Sequence, residues 1–278
     1  MSKVLEQEEP LYSQMSTGLP RSIAPGVTWL STCVDFPLPT RTVHGHTSMY
    51  LVQGPDASIL MDTGSPSSWD RISETLDEVL GGKPLTYIMP SHPELPHTGN
   101  ILRLVEKYPD VIAIGDVRDY HLFYPEIVPN LRKGVAGDRI DLGGGHEFVL
   151  IDAMIRDLPN TLWGFSTQGG ILFSADGFCY MHHPELDDED PMHLPGECGL
   201  LTSELDAPPT VENAAMFMGS AVYWARWVDD SDDLYPRIKK SFEALGVKMV
   251  APAHGNVIDN LGEVMPIIHE GHKTAYRG

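Results

Sequence analysis

The chain has 278 residues, 42% of them hydrophobic, with 19 Lys and Arg against 39 Asp and Glu and a formal net charge of -20. That length allows one large domain or two small ones, and the apolar share is enough for a sizeable core. The charge repels phosphate backbones and anionic lipid, and no run reaches the roughly 20 apolar residues that span a bilayer, so neither nucleic acid nor membrane is an expected partner.

The first ten residues are acidic and polar, unlike a signal peptide, and the expected location is the cytoplasm. Residues 1–25 show no sustained apolar period and read as an arm packing on a neighbouring subunit of a homodimer or larger homo-oligomer. Short apolar runs bounded by Gly, Pro, Asp or Ser then predict strands at 27–30, 49–52, 59–61 and 85–89. Between them, Trp69, Ile72, Leu76 and Leu80 lie on one stripe and predict a helix over 67–80. Ile101, Leu104 and Val105 predict another over 97–108, followed by a strand at 111–114.

Strands are further predicted at 139–142, 147–151, 161–165 and 170–174, with Gly143, Gly144 and Gly145 turning between the first two. Helices return over 211–227 and 235–245, then a strand at 248–251 and a helix from 261. This order predicts two layered halves, with residues 26–278 as a single domain. Cys33, Cys179 and Cys198 form no CxxC pair and read as buried or inert thiols.

Three predicted strands end in groups that bind metals. The first runs into Ser91-His92-Pro93-Glu94-Leu95-Pro96-His97, which offers nitrogen and hard oxygen donors suited to iron, manganese or zinc. The second, Ile171-Leu172-Phe173-Ser174-Ala175-Asp176, ends in an acid; the third, Met249-Val250-Ala251-Pro252-Ala253-His254-Gly255, ends in a histidine. Each alone reads equally as a capped loop or turn. Three in one chain point to a shared site.

With these segments, Thr47-Ser48-Met49-Tyr50-Leu51-Val52 and Ile59-Leu60-Met61-Asp62-Thr63, the chain resembles metallo-β-lactamase-fold proteins. Among them it is similar to the flavodiiron, or oxygen-binding di-iron, branch, which carries His-x-Glu-x-Asp-His where hydrolytic members carry His-x-His-x-Asp-His. Glu94 falls with the di-iron form. The resemblance implies an α/β fold of the metallo-β-lactamase type, an αβ/βα four-layer sandwich of two mixed sheets flanked by helices.

It also implies two metal ions, with iron expected over zinc or manganese. His92 and Glu94 would bind the first, His97 and His254 the second, with Asp176 bridging and Asp62 supporting the loops without ligating. Two positions depart from the family. Pro96 stands where the motif has aspartate, and Asp157-Leu158-Pro159-Asn160 replaces His-Trp-Pro-Asp, so Asp157 falls on the remaining histidine position. The first metal would then see His92, Glu94, Asp157 and Asp176, and the second only His97, His254 and Asp176, a two-histidine, one-carboxylate set with open positions.

Other polar groups have two readings. His44 and His46 are either solvated loop histidines or groups at the site mouth, and His182 and His183 could approach the metals. Arg156 either binds an anionic substrate or neutralises its acidic neighbours. The acidic run 185–190 is a solvated loop or a lid, and Tyr223, Trp224 and Trp227 are packing residues or a pocket wall.

Flavodiiron relatives draw electrons from a flavin in a flavodoxin-like domain. The chain ends soon after His254, with no expected room for that domain. The preferred reading is therefore a non-haem di-iron enzyme that oxidises a small organic substrate with dioxygen, or acts on nitric oxide with an external electron donor. A dizinc hydrolase and a dioxygen or nitric oxide sensor are the alternatives.

Overall fold

The computed structural model describes residues 14–15, 18–37, 42–181, 197–222 and 231–276. The first half builds an eight-stranded sheet from β1 (Gln14–Met15), β2 (Arg21–Ala24), β3 (Val27–Pro37), β4 (Thr42–Gln53), β5 (Ser58–Met61), β6 (Tyr87–Met89), β7 (Ile112–Gly115) and β8 (Leu131–Lys133). Its order is β1-β3-β4-β5-β6-β7-β8, antiparallel as far as β5 and parallel beyond it, with β2 paired to β3. The second half builds a five-stranded sheet from β9 (Arg139–Asp141), β10 (Glu147–Asp152), β11 (Leu162–Ser166), β12 (Ile171–Phe173) and β13 (Met249–Ala251). Its order is β13-β12-β11-β10-β9, and only β12 and β13 run parallel.

Alternation along the strands produces the four layers. Tyr50, Val52, Ile59 and Met61 face a core between the sheets, where they meet Phe148, Leu150, Ile171, Phe173 and Ala251. Their neighbours Met49, Leu51 and Leu60 face outward and are covered by Ile72, Leu76 and Leu80 of α1 (Trp69–Leu80) and Leu104 of α3 (Ile101–Lys107). On the second sheet Val149, Leu172 and Val250 face the other way. They are covered by α4 (Val211–Ser220) and by the helices Ser231–Leu245 and Leu261–Tyr276, through Phe217, Ile238, Val264 and Ile268. This is the expected αβ/βα sandwich. Among the described residues no helix is long and apolar enough to cross a membrane.

Several elements differ from their sequence-based expectation. The predicted arm contributes β1 and β2, which pair antiparallel with β3 of the same chain. The strands expected at 27–30 and 49–52 are the ends of a long hairpin of 11 and 12 residues whose polar stretches hide its length from an apolar-run criterion. The helix expected over 97–108 is two pieces, α2 (Leu95–Thr98) and α3. Tertiary bonds break it: Thr63 N–H donates to His97 O, and the Asn100 side chain donates to the carbonyls of Thr63, Gly64 and Ser65. A Cβ at Gly99 would stand 2.6 Å from Leu95 O, so the junction requires glycine.

Helix α4 ends at Ser220; residues 223–227 of the expected helix, with Tyr223, Trp224 and Trp227, lie outside the described residues, as does the acidic run 185–190. Cys179 and Cys198 are buried and free, and the Cys33 side chain is outside the described set.

On the helix Leu261–Tyr276, His272 is fully buried, and its Nδ1 lies 2.8 Å from the Tyr235 hydroxyl. Burial first, then the nearby His269, push its pKa down from 6.5 to about 3. A buried histidine held neutral stabilises the fold above its unfolded pKa, and that contribution is lost as pH falls below 6.5 toward 3, by about 1.4 kcal/mol per pH unit. The stability difference between the protein and a His272→Asn variant, measured by urea unfolding from pH 7 to 4, is therefore expected to move in the variant's favour as the solution is acidified. A difference independent of pH would refute this account of His272.

Candidate metal centre

The strand ends of both sheets meet at one edge of the sandwich. His92 follows β6, Asp62 follows β5, Asp176 follows β12, His254 follows β13, and Asp157 sits in the loop entering β11 beside the end of β12. Cross-sheet bonds join these ends: Leu162 N–H donates to Ser91 O, Ser48 N–H to Ala253 O, and the Tyr50 hydroxyl to Pro252 O at 2.7 Å. Asp62 and Ala175 both have left-handed backbones, with φ of 61° and 47°, a costly conformation for residues with a Cβ. Each lies within one residue of a strand's last turn toward the site, and neighbouring bonds hold it, Asp62 N–H on Met89 O and Ala253 N–H on Ala175 O.

The side chains converge. His92 Nε2 lies 2.9 Å from Asp157 Oδ2 and 3.9 Å from Glu94 Oε2, while His97 Nε2 and His254 Nε2 lie 3.5 and 3.6 Å from the same oxygen, Asp176 Oδ1. Two donor groups fall within metal-binding reach, His92, Glu94, Asp157 and Asp176 in one and His92, His97 and Asp176 in the other. Ligand atoms about 2.1 Å from one cation and 90–110° apart stand roughly 3.0–3.4 Å from each other, close to these separations.

The donors are also poorly satisfied within the protein. His92 Nε2, His97 Nε2, Asp157 Oδ2 and Asp176 Oδ1 are buried atoms with no hydrogen-bond partner. His92 Nε2 and Asp157 Oδ2 are near each other without the alignment of a hydrogen bond, as two atoms aimed at a common third point would be. Buried polar groups left this way cost about 1–3 kcal/mol each, more when charged. The residues thus fit a pair of cations.

Each imidazole has its other nitrogen fixed. His97 Nδ1 is 2.9 Å from Asp62 Oδ2, and His254 Nδ1 donates to the carbonyl of His46. Acceptors of that kind require Nδ1–H and leave Nε2 a free lone pair. Ser91, which the sequence motif did not single out, sits at the centre of this support. Its Oγ is 3.0 Å from His92 Nδ1 and 3.1 Å from His97 Nδ1, and its N–H donates to Asp62 Oδ1 at 2.7 Å. Only its place beside His92 at a strand end could have marked it.

Burial and charge act together on the titratable groups. Burial, the largest influence on both, opposes ionisation of His92 and Asp157, yet their pairing wins, raising His92 and lowering Asp157. Glu94 is lowered first by His92, and its side chain is 51% exposed, the one open member of the set. His254 is lowered mainly by burial and so kept neutral, the form that donates a lone pair.

The remaining candidates fall elsewhere. His46 is buried with its ring edge-on to Trp29 at 5.7 Å, and it reaches the site through its carbonyl. The Arg156 guanidinium is occupied by its own loop, donating to Ala153 O at 2.9 Å and Asp152 Oδ1 at 3.1 Å. The His44 side chain, His182 and His183 lie outside the described residues.

A profile of the metallo-beta-lactamase superfamily matches residues 43–254, and the chain belongs to that family. Within it, the chain is similar to flavodiiron proteins and their relatives. A coenzyme F420H(2) oxidase of Methanocaldococcus jannaschii is 26% identical over 263 residues, covering 84% of this chain and 56% of the relative. An anaerobic nitric oxide reductase flavorubredoxin of Aliivibrio salmonicida is 28% identical over 158 residues, 54% of this chain and 31% of its own length. The chain thus spans about half or less of these relatives. Among solved structures, the flavodiiron protein from Giardia intestinalis shares the fold with a TM-score of 0.68 at 13% identity, over 97% of this chain and 61% of that one.

Because Asp62 orients both Ser91 and His97, Asp62→Asn is expected to weaken cation binding by about 10- to 100-fold while the protein stays folded. Competition against a chromogenic chelator measures this. Unchanged affinity would remove Asp62 from the support of the site.

Proposed function

We propose that the chain is a di-iron oxidoreductase acting on dioxygen or nitric oxide, and that a small organic molecule bound beside His97 and His254 supplies the electrons. The observation that carries this reading is the carboxylate-rich, buried and unsatisfied donor cluster, with Glu94 and Asp157 in positions that a dizinc hydrolase would fill with histidine. Hard oxygen donors of that number favour iron or manganese over zinc. Similarity to proteins named as an oxidase and a nitric oxide reductase supports the same class, and nothing in those names supports the hydrolytic alternative.

In this reading His92, Glu94, Asp157 and Asp176 hold one iron and His97, His254 and Asp176 the other. The iron pair supplies the redox chemistry with dioxygen that no side chain provides. The protein's part is to fix and shield. Asp62 and Ser91 keep His97 and His92 aimed inward. Phe217 packs on the His254 ring at 5.2 Å and excludes water from that side, while the half-exposed Glu94 marks the face through which substrate enters and protons exchange.

Protein reconstituted anaerobically with ferrous iron is expected to consume dioxygen when given a reductant or oxidisable substrate. Chelation should abolish this, zinc should not restore it, and Asp176→Asn should lower it by about 100-fold, since Asp176 touches both donor groups. Oxygen-electrode traces that stay flat for protein carrying two irons, across reductants and substrates, would end this reading.

A further inference from the structure

The two donor groups differ in charge more than in position. The group of His92 and Asp176 also carries Glu94 and Asp157, whereas His97 and His254, which approach Asp176 Oδ1 at 3.5 and 3.6 Å, have only a share of that one carboxylate. Pro96 lies beside the latter and brings neither a side-chain donor nor an N–H. If Asp176 is divided equally, a divalent ion in the first position keeps a net charge of about -0.5 and one in the second about +1.5. Among the described residues no lysine or arginine pairs with these carboxylates to offset this: the ion pairs of Glu94, Asp157 and Asp176 involve only histidines, and Arg156 is held by Asp152.

We propose that the two positions load unequally and do different work. The His92, Glu94, Asp157 and Asp176 position binds its ion first and tightly, already neutralised. The His97 and His254 position binds later and more weakly, remains electropositive, and is completed by a bidentate oxyanion such as a catecholate or a 2-oxo or 2-hydroxy carboxylate. The substrate of the proposed oxidation is therefore a chelating oxygen anion, recognised by the ion itself. This rests on the two-cation reading above, and goes beyond it by assigning the ligand class and the position.

Three observations carry the assignment. The first is the charge difference. The second is that Asp176 Oδ1 is the shared point of approach for His97 and His254, a set of two histidines and one carboxylate, which is the donor count that leaves coordination positions of an ion open to a ligand. The third is burial: with His97, His254 and Asp176 each less than a tenth exposed, an ion there lacks the bulk water that would otherwise neutralise it, and an anion gains accordingly.

The test uses cobalt(II), an optical stand-in for ferrous iron, and 4-nitrocatechol, whose colour changes when it chelates as the dianion. Chelator-stripped full-length protein is titrated anaerobically with cobalt by calorimetry and visible absorption. Two equivalents are expected, the first bound at least about 100-fold more tightly. Asp157→Asn should weaken the first step, and His254→Gln should remove only the second. The 4-nitrocatechol shift should appear with the second equivalent and be absent in His254→Gln, with circular dichroism confirming that the variant is folded.

Two equal steps, or a catechol shift complete at one equivalent and retained in His254→Gln, would overturn the proposal while leaving the di-iron reading intact. Wild-type protein that takes up no cobalt and no iron would bring down both. Because the wild-type titration alone decides whether the two affinities differ and whether the catechol shift follows the second equivalent, misfolding of a variant leaves the proposal falsifiable.

Discussion

Everything at the active edge follows from one electrostatic constraint, the burial of carboxylates and imidazole nitrogens without enough partners. Asp157 and Asp176 are each 3% exposed and stand near His92, His97 and His254, so the native chain concentrates negative charge where water cannot screen it. Such burial is unfavourable unless positive charge enters. The raised His92 and the lowered Asp157 express that demand, since each shift favours the charged form that the other stabilises despite burial. The fold holds the groups together because they stand on strand ends of two sheets, locked by a shared apolar core.

That architecture explains why two layered halves are legible in the order of apolar runs, while the four-layer sandwich comes from the family resemblance. Tyr50, Val52, Ile59 and Met61 alternate with Met49, Leu51 and Leu60 between two different cores, and both sets are apolar, so these strands appear as continuous runs. Helix α1 showed its buried stripe at Ile72, Leu76 and Leu80 for the same reason. His92, Asp176 and His254 are legible because each stands just past such a run, whereas Asp157, in the loop entering β11, is reached only through the family resemblance. The arm and the long hairpin were misjudged because β1, β2 and the far halves of β3 and β4 carry polar residues whose sheet pairing comes from backbone bonds.

What remained hidden at the site acts through backbone or through small side chains. His46 was weighed as an imidazole, but its carbonyl is what fixes His254. Ser91 is a common residue in a loop, and only the three-dimensional meeting of its Oγ with two Nδ1 atoms gives it a role. The break between α2 and α3 escaped the periodicity because Asn100 satisfies three loop carbonyls, a tertiary demand that outweighs helical propensity. Of the two readings open for Arg156, the structure favours neutralisation of an acidic neighbour: its guanidinium pairs with Asp152 and with the carbonyl of Ala153 in its own loop.

The two departures from the di-iron motif make physical sense together. Replacing a histidine by Asp157 adds a negative charge to one position, and replacing an aspartate by Pro96 removes one from the other, so the total carboxylate count is kept while its distribution is skewed. A symmetric site would hold two ions of similar affinity and offer an incoming anion no preference. The proposed skewed site would separate a firmly held ion from an electron-deficient neighbour across one shared carboxylate, Asp176. The strained backbones at Asp62 and Ala175 fit that division: Asp62 holds the His97 ring through Nδ1, and Ala175 directs the adjacent Asp176, so these donors are set in place by the fold itself.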